Sequence, residues 1–246
     1  MRRFFMQKNY DVIIVGAGPA GIMTSYELYL KNPELKVLLI DKGHDVMYRH
    51  CPIKDKKIKS CPQIKENEPG CLPACSITSG FGGAGAYSDG KFNITSEFGG
   101  WLTDYLDNQE VEDVIHYVDE LYLKHGATRE ITDPTTDKVR EIEKRGYAVG
   151  LKLLSAKVRH LGTEENLRIM TEMSNELKEH IDIAFKTAVK DIIVEDRHVK
   201  GIILENGEEI YAPHVVLAPG RDGSTWLAKV FKHQGLELYN NQVDIG

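Results

Sequence analysis

Four β-branched residues, Val12, Ile13, Ile14 and Val15, run directly into Gly16-x-Gly18-x-x-Gly21. A helix-compatible stretch follows, then a second apolar run from Val37 to Ile40, closed by Asp41 twenty residues after Gly21. That order predicts strand, tight turn, helix and strand, with an acid at the end of the second strand, which is the context of a dinucleotide site. Each glycine has its own requirement. Gly16 serves the turn, Gly18 lets backbone approach a pyrophosphate, and Gly21 lets the helix pack close to the strand. Pro19 and Ala20 open the helix, whose N-terminal N–H groups favour phosphate. Asp41 is placed to accept hydrogen bonds from a ribose hydroxyl.

The chain has 246 residues, 41% of them hydrophobic and 28% charged, with a formal net charge of −6. It is therefore globular, and the acidic balance argues against a nucleic-acid partner, which needs clustered positive charge. One basic stretch stands out: Arg49, Lys54, Lys56, Lys57 and Lys59. It reads as a solvated loop or as a docking place for phosphate or coenzyme. No apolar run is long enough to cross a bilayer, so no membrane partner is expected. The N-terminus has arginines but no apolar secretory segment, and a cytoplasmic location is expected.

Positions 44–76 are loop-like, with four prolines, all four cysteines and many lysines. Cys51, Cys61, Cys71 and Cys75 are spaced x9, x9 and x3. This matches neither the paired spacings of structural zinc nor a familiar iron–sulfur run. Three readings stay open: reduced surface thiols, a metal or cluster site, and a redox dithiol at Cys71 and Cys75. Next comes a segment with five glycines between positions 80 and 90. Such density lets backbone lie against something flat or charged. Tyr87, Ser88, Asp89 and Lys91 in this segment, together with Arg221, are candidates for orienting a substrate or supplying charge; turn and cap roles serve equally well.

Positions 101–125 predict an amphipathic helix whose inner face carries Val111, Val114, Ile115, Val118, Leu121 and Tyr122, ended by Gly126. A second helix is expected over 137–160, weakened by Gly146 and Gly150. A third has Thr163 as its N-cap and Leu167, Met170, Ser174 and Leu177 on one face. From Ile183 the pattern changes to short strands: IAFKTAVKDIIVED, HVKGIILENG and EEIYA, with Asn206 and Gly207 marking a hairpin. An apolar strand from His214 then runs into Ala218-Pro219-Gly220-Arg221.

An N-terminal GxGxxG unit, an insertion, a three-stranded meander and a strand ending in A-x-G together resemble the FAD-binding domain of the glutathione-reductase-like superfamily. The resemblance covers the first fifty residues and roughly 180–223. More narrowly, CPIK, the C-x3-C pair and GFGGAGAYSDGKFN are similar to a group of bacterial FAD-dependent dehydrogenases. The implied fold is α/β: a Rossmann-like FAD-binding domain with a central parallel sheet, a three-stranded β-meander and a helical insertion. Its expected segments are 1–100, 101–162 for the insertion, and 163–246. The resemblance implies that Gly16, Gly18, Pro19, Ala20 and Gly21 form the pyrophosphate loop. It implies that Asp41 holds ribose and that Lys42 points toward the adenosine. Ala188 and Val189 would pass the adenine, Ala218, Gly220 and Arg221 would form the second turn, and Gly82, Gly83, Ala84 and Gly85 would lie near the flavin.

The superfamily also has a late strand ending in Gly-Asp and a separate substrate domain. Neither is found here, so the chain is expected to be the N-terminal part of a longer protein, with the remaining part as its partner. The expected activity is an FAD-dependent oxidoreductase exchanging hydride with a small-molecule substrate or with NAD(P)H. The alternative is a flavin-binding protein without turnover, or one that senses redox state through its thiols. FAD is favoured over NAD as resident coenzyme because a meander, and not further α/β alternation, precedes the second glycine turn. No catalytic pair and no metal ligand set is singled out.

Overall fold

The computed structural model describes residues 6–61, 71 and 73–239. Positions 1–5, which carry the N-terminal arginines, lie outside the described residues. In chain order the elements are β1 Val12–Val15, α1 Pro19–Lys31, β2 Val37–Ile40, β3 Lys91–Ile94, α2 Asn108–Lys124, α3 Asp137–Tyr147 and β4 Lys157–His160. They continue with α4 Thr163–His180, β5 Asp182–Ala184, β6 Val189–Glu195, β7 His198–Leu204, β8 Glu209–Tyr211, β9 His214–Leu217 and α5 Ser224–His233. The chain divides into two units, one of Met1–Ala86 with Ser174–Gly246 and one of Tyr87–Met173. The insertion expected at 101–162 lies inside the second.

In the first unit, β5, β2, β1 and β9 form a parallel sheet in that order. Every residue of β1 and β2 is buried, as strands covered on both faces require. Side chains alternate between the faces. Ile13, Val15, Leu38 and Ile40 share one core with Val189, Ile202, Leu204 and Ile210 of the meander β6-β7-β8. On α1, Gly21, Ile22, Ser25 and Tyr26 are buried, and a Cβ built on Gly21 would stand 3.4 Å from Ile14. The hydroxyls of Tyr26 and Tyr29 both donate to Glu176 of α4, at 3.0 and 2.7 Å. The sheet is therefore a middle layer between the meander and helices.

The expected strand run from Ile183 is two strands, not one. Asp182–Ala184 joins the parallel sheet beside β2, and the chain then turns through Lys186, at φ 58°, before the meander starts at Val189. The β6-β7 turn is made by Asp196 and Arg197, both at positive φ, with no glycine to announce it. The β7-β8 turn uses the expected Asn206 and Gly207, Gly207 at φ 85°.

The second unit pairs β3 with β4 antiparallel. Three expected boundaries shift here. Helix α2 starts at Asn108, not 101, because Asp107 and Glu110 form a reciprocal capping box. On its expected inner face Val111, Leu121 and Tyr122 are buried but Val114 is exposed. The helix expected over 137–160 stops at Tyr147: the Gly146 carbonyl accepts from both Val149 and Leu151, with Gly150 at φ 78°, and Lys157–His160 becomes a strand. Gly162, not Thr163, caps α4, since its carbonyl accepts the first helical bond, from Asn166. The unit is fastened by a buried bidentate pair, Arg159 to Asp119 at 2.6 and 2.7 Å. An apolar hollow of about 400 Å³ lies between β3 and α2, bordered by Phe92, Val111, Ile115 and Val118.

Candidate functional site

The register of the sheet assembles the site. Val15 stands opposite Ile40 on one side and Leu217 on the other, so the next residues, Gly16, Asp41 and Ala218, leave the same edge together. The chain goes from β1 to β2 on one side, while β9 arrives on the other. Ligands of open α/β sheets bind at such a switch point, beyond the carboxyl ends of the strands. A cleft of about 690 Å³ opens there, wholly within the first unit.

Most of the residues picked from sequence line it: Gly16, Gly18, Pro19, Asp41, Lys42, Gly83, Ala84, Gly85, Ala188, Val189, Ala218, Gly220 and Arg221. Ala20, Gly21 and Gly82 do not. Ala20 is an exposed residue in the first turn of α1. A Cβ on Gly21 would sit 1.9 Å from the Gly16 carbonyl, so that glycine serves helix-to-turn packing. Gly82 donates its N–H to Ala17 at 2.8 Å and so ties the second glycine segment to the first. Tyr87, Ser88, Asp89 and Lys91 fall in the second unit and are not among the lining residues, and Lys91 pairs with Asp89 at 2.9 Å.

The three motif glycines are explained differently. Gly16 has φ 108°, and a Cβ there would lie 2.2 Å from the Ala218 carbonyl oxygen. Gly18 has φ −76° and ψ −177°, a backbone any residue adopts, and the nearest atom to its Cβ position is the Gly83 Cα at 4.0 Å. The fold therefore demands glycine at 16 and 21 but not at 18. What Gly18 keeps clear is the cleft, at the N-terminus of α1, where no side chain caps the first turn and no acid stands in it.

Asp41 does more than the sequence suggested. Its Oδ2 accepts from the Ala17 N–H at 2.8 Å, and its Oδ1 accepts from Gly43 and Gly80 at 2.7 and 2.9 Å. One carboxylate thus fastens the loops after β1 and β2 and the start of the glycine-rich segment. It also faces the cleft.

Several lining residues escaped the sequence reading: Thr78, Ser79, Thr187, Glu205, Asp222 and Trp226. Asp222 pairs with Lys42 and accepts from the Ser79 hydroxyl at 2.8 Å. Burial alone would raise its pKa, but the bonds from Lys42 and Ser79 outweigh burial and hold it below the usual carboxylate range. Trp226 is fixed by its indole N–H, which donates to the Lys190 carbonyl at 3.0 Å. Asp222 and Ser79 are 143 positions apart, and no local pattern links them. Among the described residues no group of three or more His, Cys, Asp or Glu is arranged to hold a metal ion. No helix among them is long and apolar enough to cross a membrane.

Fold and cleft together define a Rossmann-like α/β protein. The family model described as glucose inhibited division protein A matches residues 113–241, just over half of the chain, and the chain belongs to that family. Among solved structures, an L-amino acid deaminase from Proteus vulgaris is similar with a TM-score of 0.51 at 16% identity, over 94% of this chain and 51% of its own. A glycine oxidase from Geobacillus kaustophilus aligns over 94% of this chain and 60% of its own, at 16% identity and a TM-score of 0.48. The deaminase supports the fold, and this chain spans about half its length. No curated protein sequence matches the chain.

Proposed function

We propose that the cleft at the ends of β1, β2 and β9 takes FAD, and that the chain is the coenzyme-binding part of an FAD-dependent oxidoreductase. The observation that carries this reading is Gly18. Nothing among the described residues requires a glycine there, yet its missing side chain leaves room against an uncapped helix N-terminus. Backbone N–H groups of that first turn would hold the pyrophosphate. Asp41, already fixed by three amides, offers the remaining lone pair of its Oδ2 to a ribose hydroxyl. Ala188 and Val189 line the cleft together with Gly83, Ala84 and Gly85, all of them small or apolar residues that a flat ring could lie against. Arg221 adds positive charge toward phosphates, while Lys42 is already paired with Asp222 in the cleft wall.

When bound, FAD supplies two-electron chemistry, accepting or giving hydride. The protein's part is placement and electrostatics. The hydride partner in this proposal is a small molecule or NAD(P)H, in a cytoplasmic protein whose remaining chain completes the site.

The test compares FAD, FMN and ADP as ligands of wild type and Gly18→Val. FAD at a hundred times its Kd should stabilise the wild type by about 2.7 kcal/mol. ADP should compete and FMN should not, because FMN lacks the adenosine half. Gly18→Val should fold normally and lose FAD. If wild type gains no stability from FAD, or the valine variant binds it equally well, the proposal fails.

A further inference from the structure

Where the meander borders the cleft, three stretches of chain meet, and hydrogen bonds fix their places. The backbone N–H of Thr187 donates to the Asp41 carbonyl at 3.0 Å. Glu205, the residue after β7, donates its N–H to the Ala188 carbonyl at 3.0 Å, and beside it Val189 pairs with Leu204. Trp226 of α5 reaches the same corner, since its indole N–H is held by Lys190, the residue after Val189. Thr187, Ala188, Val189, Glu205 and Trp226 all line the cleft.

The corner is therefore bonded directly to Asp41, whose carboxylate is in turn bonded to Ala17, next to Gly18 and the start of α1. In a nucleotide the sugar joins the phosphates to the base. A ligand with its pyrophosphate at α1 and its ribose at Asp41 thus brings its base to this corner. Ala188, Val189 and the anchored indole give the ring apolar surface to lie against.

The polar side chains here are matched to one kind of base. The Thr187 hydroxyl spends its proton on the Phe185 carbonyl at 3.0 Å, and the indole spends its own on Lys190. Glu205 is exposed, and among the described residues its carboxylate has neither a hydrogen-bond nor an ion-pair partner. An ionised carboxylate only accepts. These three side chains accordingly offer lone pairs and no free donor, so the base must bring the N–H.

We propose that Glu205 is a specificity residue whose carboxylate accepts a hydrogen bond from the exocyclic amine of the coenzyme's adenine, selecting an amino-bearing base. The inference rests on the coenzyme reading and adds to it a side chain that reads the base. The glycine turns hold phosphate and sugar, which every nucleotide shares. Discrimination between bases falls to the corner where Glu205 stands.

The test measures, by titration calorimetry, the affinities of wild type and Glu205→Ala for ADP and for purine riboside 5′-diphosphate, which differs from ADP only in lacking the 6-amino group. Wild type should prefer ADP by about tenfold, as loss of one hydrogen bond to a charged acceptor predicts. Removing the negative charge of Glu205 changes both affinities in the same direction, so their ratio isolates the amine contact. In Glu205→Ala that ratio should fall to within about twofold of one. The exposed position leaves the buried Ile202 and Leu204 untouched, and the variant should melt with the wild type when no ligand is present. Equal affinities in wild type, or a preference that survives in Glu205→Ala, would overturn the role of Glu205 and leave the coenzyme reading standing, provided that ADP and FAD bind. If neither ADP nor FAD binds the wild type, both fall together.

Discussion

Gly16 and Gly18 sit two positions apart in one motif, yet they answer to different masters. At Gly16 the demand is internal: positive φ and a carbonyl 2.2 Å from where a Cβ would be. Gly16→Ala should therefore cost more than about 2 kcal/mol of folding stability, since both strain and a backbone clash oppose it. Gly18→Ala should change the ligand-free protein by less than about 0.5 kcal/mol, as an unstrained and uncrowded position predicts. Urea unfolding of both variants without coenzyme separates them. Equal losses would mean that Gly18 has a structural role after all.

At the scale of elements, the Lys42, Ser79 and Asp222 network joins the loop after β2, the start of the glycine-rich segment and the approach to α5. Asp222 has a folded-state pKa below its unfolded value. Its contribution to stability is then present above the unfolded pKa of about 4 and is lost as pH falls through the lower folded value. The stability gap between wild type and Asp222→Asn should be full at pH 7 and shrink steadily below about pH 4. A gap that is unchanged at low pH would remove the ion pair from the account.

What sequence could and could not show also divides by element. The β1-α1-β2 unit was legible because a buried parallel strand writes itself as an unbroken apolar run and its turn needs glycine. The meander was legible by its strand pattern. But β5 was absorbed into β6, since a three-residue strand leaves no period of its own. Strand β4 was hidden because Lys157–His160 has one apolar residue, Val158, and so shows no alternation to read as a strand. Among site residues, those carried by the glycine turns were found. Ser79, Asp222 and Trp226 were missed because only the fold brings them to the cleft, and their local sequence has no mark of it.

For the whole molecule, every residue lining the larger cleft belongs to the first unit. Coenzyme binding should therefore slow amide hydrogen exchange in β1, α1, β2 and β9, and leave β3, β4, α2 and α3 close to their ligand-free rates. Hydrogen exchange with mass spectrometry, with and without FAD, reads this directly. Uniform protection of both units would contradict it.

The single carboxylate of Asp41, bonded to three amides from three stretches of chain, has one more consequence. Folding itself draws those stretches into their final shape, so an arriving guest meets a finished receptacle and little chain freedom is left to forfeit. Recognition at this end should behave like a key entering a cut lock, with its ordering cost already met in the birth of the fold.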